Sequence, residues 1–359
     1  MRAPIVFIAD YPFGDKIKDG MYQRIMAIDK EFEGFERIYL SISFKSNFRQ
    51  KIVKKDNLTV IYLNYFLHQK QIRDIIKQGS AVYMHSVYNS FRVLLHAGLM
   101  SKKCSVLDAH GVVPEECSFQ GMWLRSMLYD TVEKRIFKKL SYVITVSEEM
   151  ISHFKDKYSD KNSIEYILKP IYSTNVIEKK ASLPEELNSK DINIVYSGNL
   201  QAWQNIELMV QTIKKMDNPR YHFIILTQYP AKMQQMFGNL MQSRHITIRS
   251  VYPGELSNYY EFCEYGFILR DETLLNIVSA PTKMIEYLIF GLTPLVLSPK
   301  IGDWYKNGYE YISIASESLN SLPKRKSIRN KDLALKSIQQ NEKTSIPELI
   351  FGINAKSQS

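Results

Sequence analysis

Short apolar runs alternate with longer stretches of helical period along most of the chain. The runs "IVFIA" (5–9), "RIYLSI" (37–42), "LTVIYL" (58–63), "AVYMHS" (81–86), "CSVLDAH" (104–110) and "YVITVS" (142–147) predict strands. Between them, "GMYQRIMAIDKEF" (20–32) and "QKQIRDIIKQG" (69–79) repeat their apolar positions at helical spacing, and "GMWLRSMLYDTVEKRIFKKLS" (121–141) predicts a long amphipathic helix with a basic end. Strands that alternate with helices imply βαβ units and parallel sheets.

The alternation pauses at 168–191, a polar stretch with two prolines and no sustained period. It resumes with "INIVYSG" (192–198), "YHFIILT" (221–227), "ITIRSV" (246–251), "YGFILR" (265–270) and "LTPLVLS" (292–298). The expected organisation is a Rossmann-like domain over 1–170, a linker over 171–190, a second Rossmann-like domain over 191–340 and a polar tail over 341–359. Two doubly wound domains place ligands at the carboxyl ends of their strands, in a cleft between the domains.

Charge changes this picture in one respect. The net charge is +10, and residues 1–170 hold 26 Lys and Arg against 19 Asp and Glu. The densest basic run, "KSNFRQKIVKK" (45–55), has five cations and no acid. It reads either as a solvated helix face or as a contact for an anionic membrane surface. Nucleic acid is disfavoured, because no recognition motif is present and Phe48 is the run's one aromatic. Three scattered cysteines, without a CxxC or a Cys/His cluster, suggest a reducing compartment and no metal. No signal peptide or membrane-spanning run is expected, since "APIVFIAD" reaches Asp10 early and "YLIFGLTPLVLS" is broken by Gly and Pro. The expected location is the cytoplasm, with peripheral contact to the inner face of the cell membrane.

Candidate chemistry lies at the strand ends. The turn "DYPFGDKIKDGMYQRI" (10–25) holds Gly14 and Gly20 but no GxGxxG, which disfavours nicotinamide and flavin enzymes, and no P-loop occurs. Gly20 still lets helix N–H groups approach an anion or a sugar. "LDAHG" puts Asp108 and His110 at a strand end, with His85 similarly placed in "VYMHSV". Ser147 reads as a helix N-cap. In the second half, Gly198 stands at a strand–helix turn where N–H groups meet a phosphate, Tyr252 offers a surface for a nucleobase, and Arg270 ends a strand.

The sharpest signal is "SAPTKMIEYLIFGLTPLV" (279–296). A helix starting at Pro281 carries Lys283 in its first turn, where the helix dipole disfavours a cation. An anion held between Lys283 and the free N–H groups removes that conflict. Ser279, Lys283 and Glu286 recur at i, i+4 and i+7, which places them on one face, and a carboxylate one turn beyond the lysine suits a ribose diol. A phosphate-bearing ligand with a vicinal diol is what this pattern suggests.

Together "DGMYQRI", "LDAHG", "YVITVSEEM", "YSGNLQAWQN" and "SAPTKMIEYLIFGLTPLV" resemble the family 4 glycosyltransferases of GT-B architecture, over roughly 1–340. The last stretch resembles the "SPTK…EYL" signature of capsule- and exopolysaccharide-type members. The resemblance implies a retaining, metal-independent transferase with no cofactor, in which a nucleotide-diphosphate sugar, UDP favoured, is the donor. It implies a glycan or lipid-linked oligosaccharide of bacterial surface polysaccharide synthesis as acceptor. Glu286 matches the second acid of the family's E-x7-E motif and would hold the ribose. Gly20, Gly198, Asn199, Tyr252, Ser279 and Thr282 would complete the donor site, with His110, Arg270 and Lys283 as catalytic residues. The first acid of the motif falls at Val278, and the family's Arg and Lys after the first strand of the second domain fall at Asn199 and Gln204. Arg270 and Lys283 are expected to replace those cations. A sugar-nucleotide epimerase of the same architecture and a non-enzymatic sugar-nucleotide or nucleic-acid-binding protein are the alternatives.

Overall fold

The computed structural model describes residues 3–13, 20–159, 163–170, 182–188 and 190–352. Gly14 and most of the expected linker lie outside them. The chain divides into two units, 1–171 with 342–359, and 172–341.

The first unit is built on an eight-stranded sheet in the order β3-β4-β2-β1-β5-β6-β7-β8. Its strands are β1 (Ile5–Ile8), β2 (Arg37–Ser43), β3 (Lys51–Lys55), β4 (Leu58–Asn64), β5 (Ala81–His85), β6 (Cys104–Ala109), β7 (Tyr142–Thr145) and β8 (Glu165–Leu168). All pairings are parallel except β3 with β4. Continuous apolar runs rather than alternating ones follow from that, because helices cover both faces of a parallel sheet; every residue of β1 and β5 is buried.

The basic run takes neither helical form nor a covered position. Lys51–Lys55 is an antiparallel edge strand, turned back on β4 through Asp56 and Asn57, with Asp56 at a φ of 48°. Four of its five residues are exposed. Lysines on an edge discourage further strand pairing, so the solvated-helix reading is corrected to a solvated edge.

The chain returns to the first unit at its end. Within the expected tail, Ile346–Phe351 is a helix capped by Ser345, with Ile346 fully buried in the first unit's core. The Ile346 N–H donates to Glu31 at 3.0 Å, and Lys169 bridges Glu31 at 2.9 Å and the Thr344 carbonyl. Ile346, with Ile350 and Phe351 packed beside it, docks this polar-flanked segment on the core.

The second unit has a six-stranded, all-parallel sheet in the order β11-β10-β9-β12-β13-β14. These strands are β9 (Ile192–Ser197), β10 (Tyr221–Leu226), β11 (His245–Arg249), β12 (Tyr265–Ile268), β13 (Thr293–Val296) and β14 (Ile312–Ser313). The order is that of a doubly wound nucleotide-binding sheet, whose direction reverses between β9 and β12. The helix Thr282–Ile289 buries Met284, Ile285, Tyr287, Leu288 and Ile289. Its Tyr287 ring lies so close over β12 that a Cβ on Gly266 would collide with it.

Candidate functional site

The switch point of the second sheet brings together the turn after β9, the segment after β12 and the start of the helix Thr282–Ile289. Lys283 is its second residue and half-buried. Its Nζ donates to Gln204 Oε1 at 2.9 Å and stands 4.2 Å from the centre of the Tyr196 ring. A Cβ at Gly198 would lie 3.0 Å from that nitrogen and 2.9 Å from the Tyr196 hydroxyl, so only glycine leaves the approach open. Arg270 reaches Asn276 Oδ1 at 3.2 Å and Ser279 Oγ at 3.3 Å.

Among the described residues neither cation has an ion-pair partner. Desolvation lowers the Lys283 pKa well below the ordinary lysine value, and the Arg270 charge lowers it further. Burial brings Arg270 down to about 10. Two neighbouring cations faced by neutral groups form a site that gains free energy when an anion enters.

Glu286, one turn beyond Lys283, is held in the opposite sense. Burial pushes its carboxyl up to about 7, against a Tyr260 hydrogen bond at 3.2 Å and the Lys283 charge. The Tyr260 hydroxyl also lies 2.6 Å from Ser197 Oγ, and that serine is 3.3 Å from the Tyr287 hydroxyl. Tyr260 has one proton to donate. When Glu286 is protonated it donates to Tyr260, and Tyr260 donates to Ser197; when Glu286 ionises, the chain reverses.

The other expected donor residues are placed as follows. Ser279 lies outside the helix, which starts at Thr282 with Pro281 as its N-cap. The shared helix face is therefore corrected to Lys283 and Glu286. Proline has no N–H and fixes φ, so it suits the helix boundary, and Ser279 instead donates to the Asn276 carbonyl at 2.9 Å while accepting from Arg270. Thr282 is exposed at the helix start. The Asn199 carbonyl accepts from the Tyr196 hydroxyl at 2.6 Å, and its side-chain amide donates to Gln201 at 2.8 Å. Tyr252 is largely exposed, its N–H donating to Glu255 at 2.9 Å. Val278 is buried. Tyr196, Tyr260, Asn276 and Tyr287 escaped sequence reasoning, because an aromatic or amide inside an apolar run carries no spacing signal of its own, and Gln204 was singled out there only as the position of an absent cation.

In the first unit a second buried polar group sits at the ends of β5 and β6. Arg24 of the helix Gly20–Glu31 donates from Nε to both Asp108 oxygens at 2.8 and 3.0 Å and from Nη2 at 2.5 Å. Its Nη1 donates to the Lys169 carbonyl at 3.0 Å. His85 Nδ1 lies 3.0 Å from the same carboxylate and, since a carboxylate only accepts, carries the hydrogen. Burial would raise the Asp108 carboxyl, but the Arg24 guanidinium and the His85 hydrogen bond hold it well below the usual range. Burial takes His110 down to about 4 against the pull of Asp108, so the imidazole is neutral at pH 7. Its Nδ1 is buried without a hydrogen-bond partner among the described residues. Ser147 is the N-cap expected, accepting from the Met150 N–H at 3.0 Å.

One further grouping has metal-ligand composition. Asp191, His222 and His245 offer ligand atoms within 4.8 Å of one another at the amino ends of β9, β10 and β11. The two imidazoles are stacked 3.6 Å apart with 2° between their planes. Parallel lone pairs do not converge on an ion at about 2.0 Å from each nitrogen.

No family model and no curated protein matches this chain in sequence. Its backbone is similar to that of OtsA in its apo form, with 12% identity, a TM-score of 0.64 and coverage of 94% of this chain and 96% of the other. It is similar to sucrose-phosphate synthase of Thermosynechococcus elongatus, with 13% identity, a TM-score of 0.57 and coverage of 99% and 94%. It is also similar to Anabaena HepE in complex with UDP and glucose, with 10% identity, a TM-score of 0.60 and coverage of 99% and 97%. The shared fold is GT-B, with two Rossmann-like units.

Proposed function

We propose that the chain is a retaining, metal-independent glycosyltransferase that moves a sugar from a nucleoside-diphosphate sugar, UDP favoured, to a glycan or lipid-linked oligosaccharide of a bacterial surface polysaccharide. The observation that carries this reading is the pair Arg270 and Lys283, two half-buried cations with neutral partners at the switch point of a nucleotide-binding sheet. A diphosphate supplies the charge the pair lacks. Lys283 belongs to the first turn of the helix Thr282–Ile289, the end whose dipole favours an anion. HepE, of the same fold, was solved with UDP and glucose.

In this reading Glu286 accepts from the ribose hydroxyls, and the entering nucleotide meets Gly198, Asn199, Tyr252, Ser279 and Thr282. The bond between the anomeric carbon and the β-phosphate oxygen breaks as the acceptor hydroxyl oxygen bonds to that carbon. The acceptor proton passes to the departing phosphate on the same face, which retains configuration. Lys283 and Arg270 stabilise the charge that develops on the leaving diphosphate. His110, neutral and with an unpartnered Nδ1, is assigned to the transferred sugar. Gly20 begins the helix that carries Arg24 and is assigned to the donor as well.

The test is release of UDP from a panel of UDP-sugars, with and without a bacterial lipid extract as acceptor, followed by mass analysis of the lipid. Acceptor-dependent UDP release and a lipid heavier by one sugar support the reading. Isomerised UDP-sugar without acceptor would replace it with an epimerase.

A further inference from the structure

The helix Trp123–Phe137 has its apolar residues on both sides. Tyr129, Val132, Ile136 and Phe137 face the core of the first unit. On the opposite side Trp123, Leu124, Met127 and Leu128 are 64%, 65%, 63% and 43% exposed. A helix on a folded domain ordinarily turns a polar face outward, and one that is apolar all round has a second apolar neighbour. The same outward side continues with Lys134, Arg135 and Lys138, all exposed.

The same unit exposes further apolar side chains on loops. Strands β2, β4, β5 and β6 run parallel, so the loops that follow them leave one edge of the sheet. Those loops are linked by rings. Phe44 lies 6.0 Å from Phe66 and 5.5 Å from Phe91, and Phe91 lies 6.4 Å from Tyr129 on the core-facing side of the helix. Phe66, Leu67 and Phe48 on these loops are more than half exposed. Lys45 and Arg49 are exposed on the same loop as Phe48, and Arg125 is exposed between Leu124 and Met127.

We infer that this edge of the first unit seats on an anionic lipid bilayer, with Trp123, Leu124, Met127 and Leu128 entering the headgroup–acyl boundary and the surrounding cations meeting lipid phosphates. Exposed tryptophan beside leucine and methionine, rimmed by lysine and arginine, is the composition that binds an interface. Charge separates this occupant from a second copy of the chain. A two-fold contact of the patch with itself would set like cations against one another in a unit that holds 26 basic and 19 acidic residues over 1–170. An anionic surface reverses the sign of that term. The inference stands apart from the nucleotide reading and places an apolar anchor on the helix 123–137, where the sequence had suggested only the basic run 45–55.

The experiment is vesicle flotation of the full chain with phosphatidylcholine alone and with about one-third phosphatidylglycerol, at low and high salt. The chain is expected to float with the anionic vesicles at low salt. Trp123→Ser combined with Met127→Ser should lower the partition at least about tenfold, since two large apolar side chains leave the boundary. UDP-induced thermal stabilisation of that variant should equal the parent's, which shows that it folds and keeps the nucleotide reading separate. Flotation of parent and variant alike overturns the inference. So does a parent that ignores all vesicles and whose dimer in solution the double substitution breaks, because the patch is then a subunit interface.

Discussion

Lys283 donates to Gln204 at 2.9 Å, amide to ammonium, where a buried lysine ordinarily finds a carboxylate. A neutral partner satisfies one hydrogen-bond donor and leaves the charge uncompensated. Gln204→Glu supplies the missing anion within the same reach. The ligand-free protein should become more stable, by roughly 1 kcal/mol, because a charge-assisted bond replaces a neutral one. UDP affinity should fall about tenfold or more, because the diphosphate then competes with a fixed carboxylate. Melting temperature with and without UDP checks both; a variant that binds UDP as tightly as the parent would place the anion elsewhere.

Removing the cation tests the same site from the other side. Lys283→Ala and Lys283→Met should both weaken UDP binding by about 1.5–3 kcal/mol, the range for hydrogen bonds to a charged group. Without ligand, both should melt no lower than the parent, since a desolvated cation has left the N-terminal turn of a helix. Loss of stability with UDP binding unchanged would make Lys283 structural.

Glu286 gives the stability a pH dependence whose sign follows from its environment. Its folded pKa, about 7, lies above the ordinary value, so the protonated form is favoured by folding. That contribution is complete below about pH 4.5 and is lost as pH rises through about 7. Ligand-free stability should therefore decline across that window, and Glu286→Gln, neutral throughout, should flatten the decline. A parent and variant with parallel pH profiles would show that the carboxyl ionises freely in the folded protein.

In the first unit, Asp108→Asn leaves Arg24 buried, with its carboxylate partner gone. Breaking a buried pair on one side costs about 3–5 kcal/mol. Urea unfolding should register a loss of that order. A loss under about 1 kcal/mol would show that water reaches the guanidinium.

The strands of both sheets were legible because a parallel sheet buried on both faces demands continuous apolar runs, and β1, β5, β9 and β10 have them. β3, β8 and β14 were not: "KIVKK" is mostly charged and exposed, β8 opens on an exposed glutamate and buries only Ile167, and β14 has two residues. Lys283 could be singled out because it offends the dipole of its own helix, a conflict visible in one turn of sequence. Arg24 with Asp108, 84 residues apart, and Tyr260 with Glu286, 26 apart, are pairings that only the sheet order creates. The return of Ile346 to the first unit's core was hidden because a six-residue helix flanked by lysines reads as a tail.

The central claim is a diphosphate site between Arg270 and Lys283. Its most direct measurement is calorimetric titration of the parent and of Lys283→Ala with UDP, UMP and uridine. The account predicts that the parent binds UDP more tightly than UMP and UMP more tightly than uridine, and that the substitution collapses most of the gap between UDP and uridine. Equal affinity of the parent for all three, or an undiminished preference for UDP in Lys283→Ala, would contradict it.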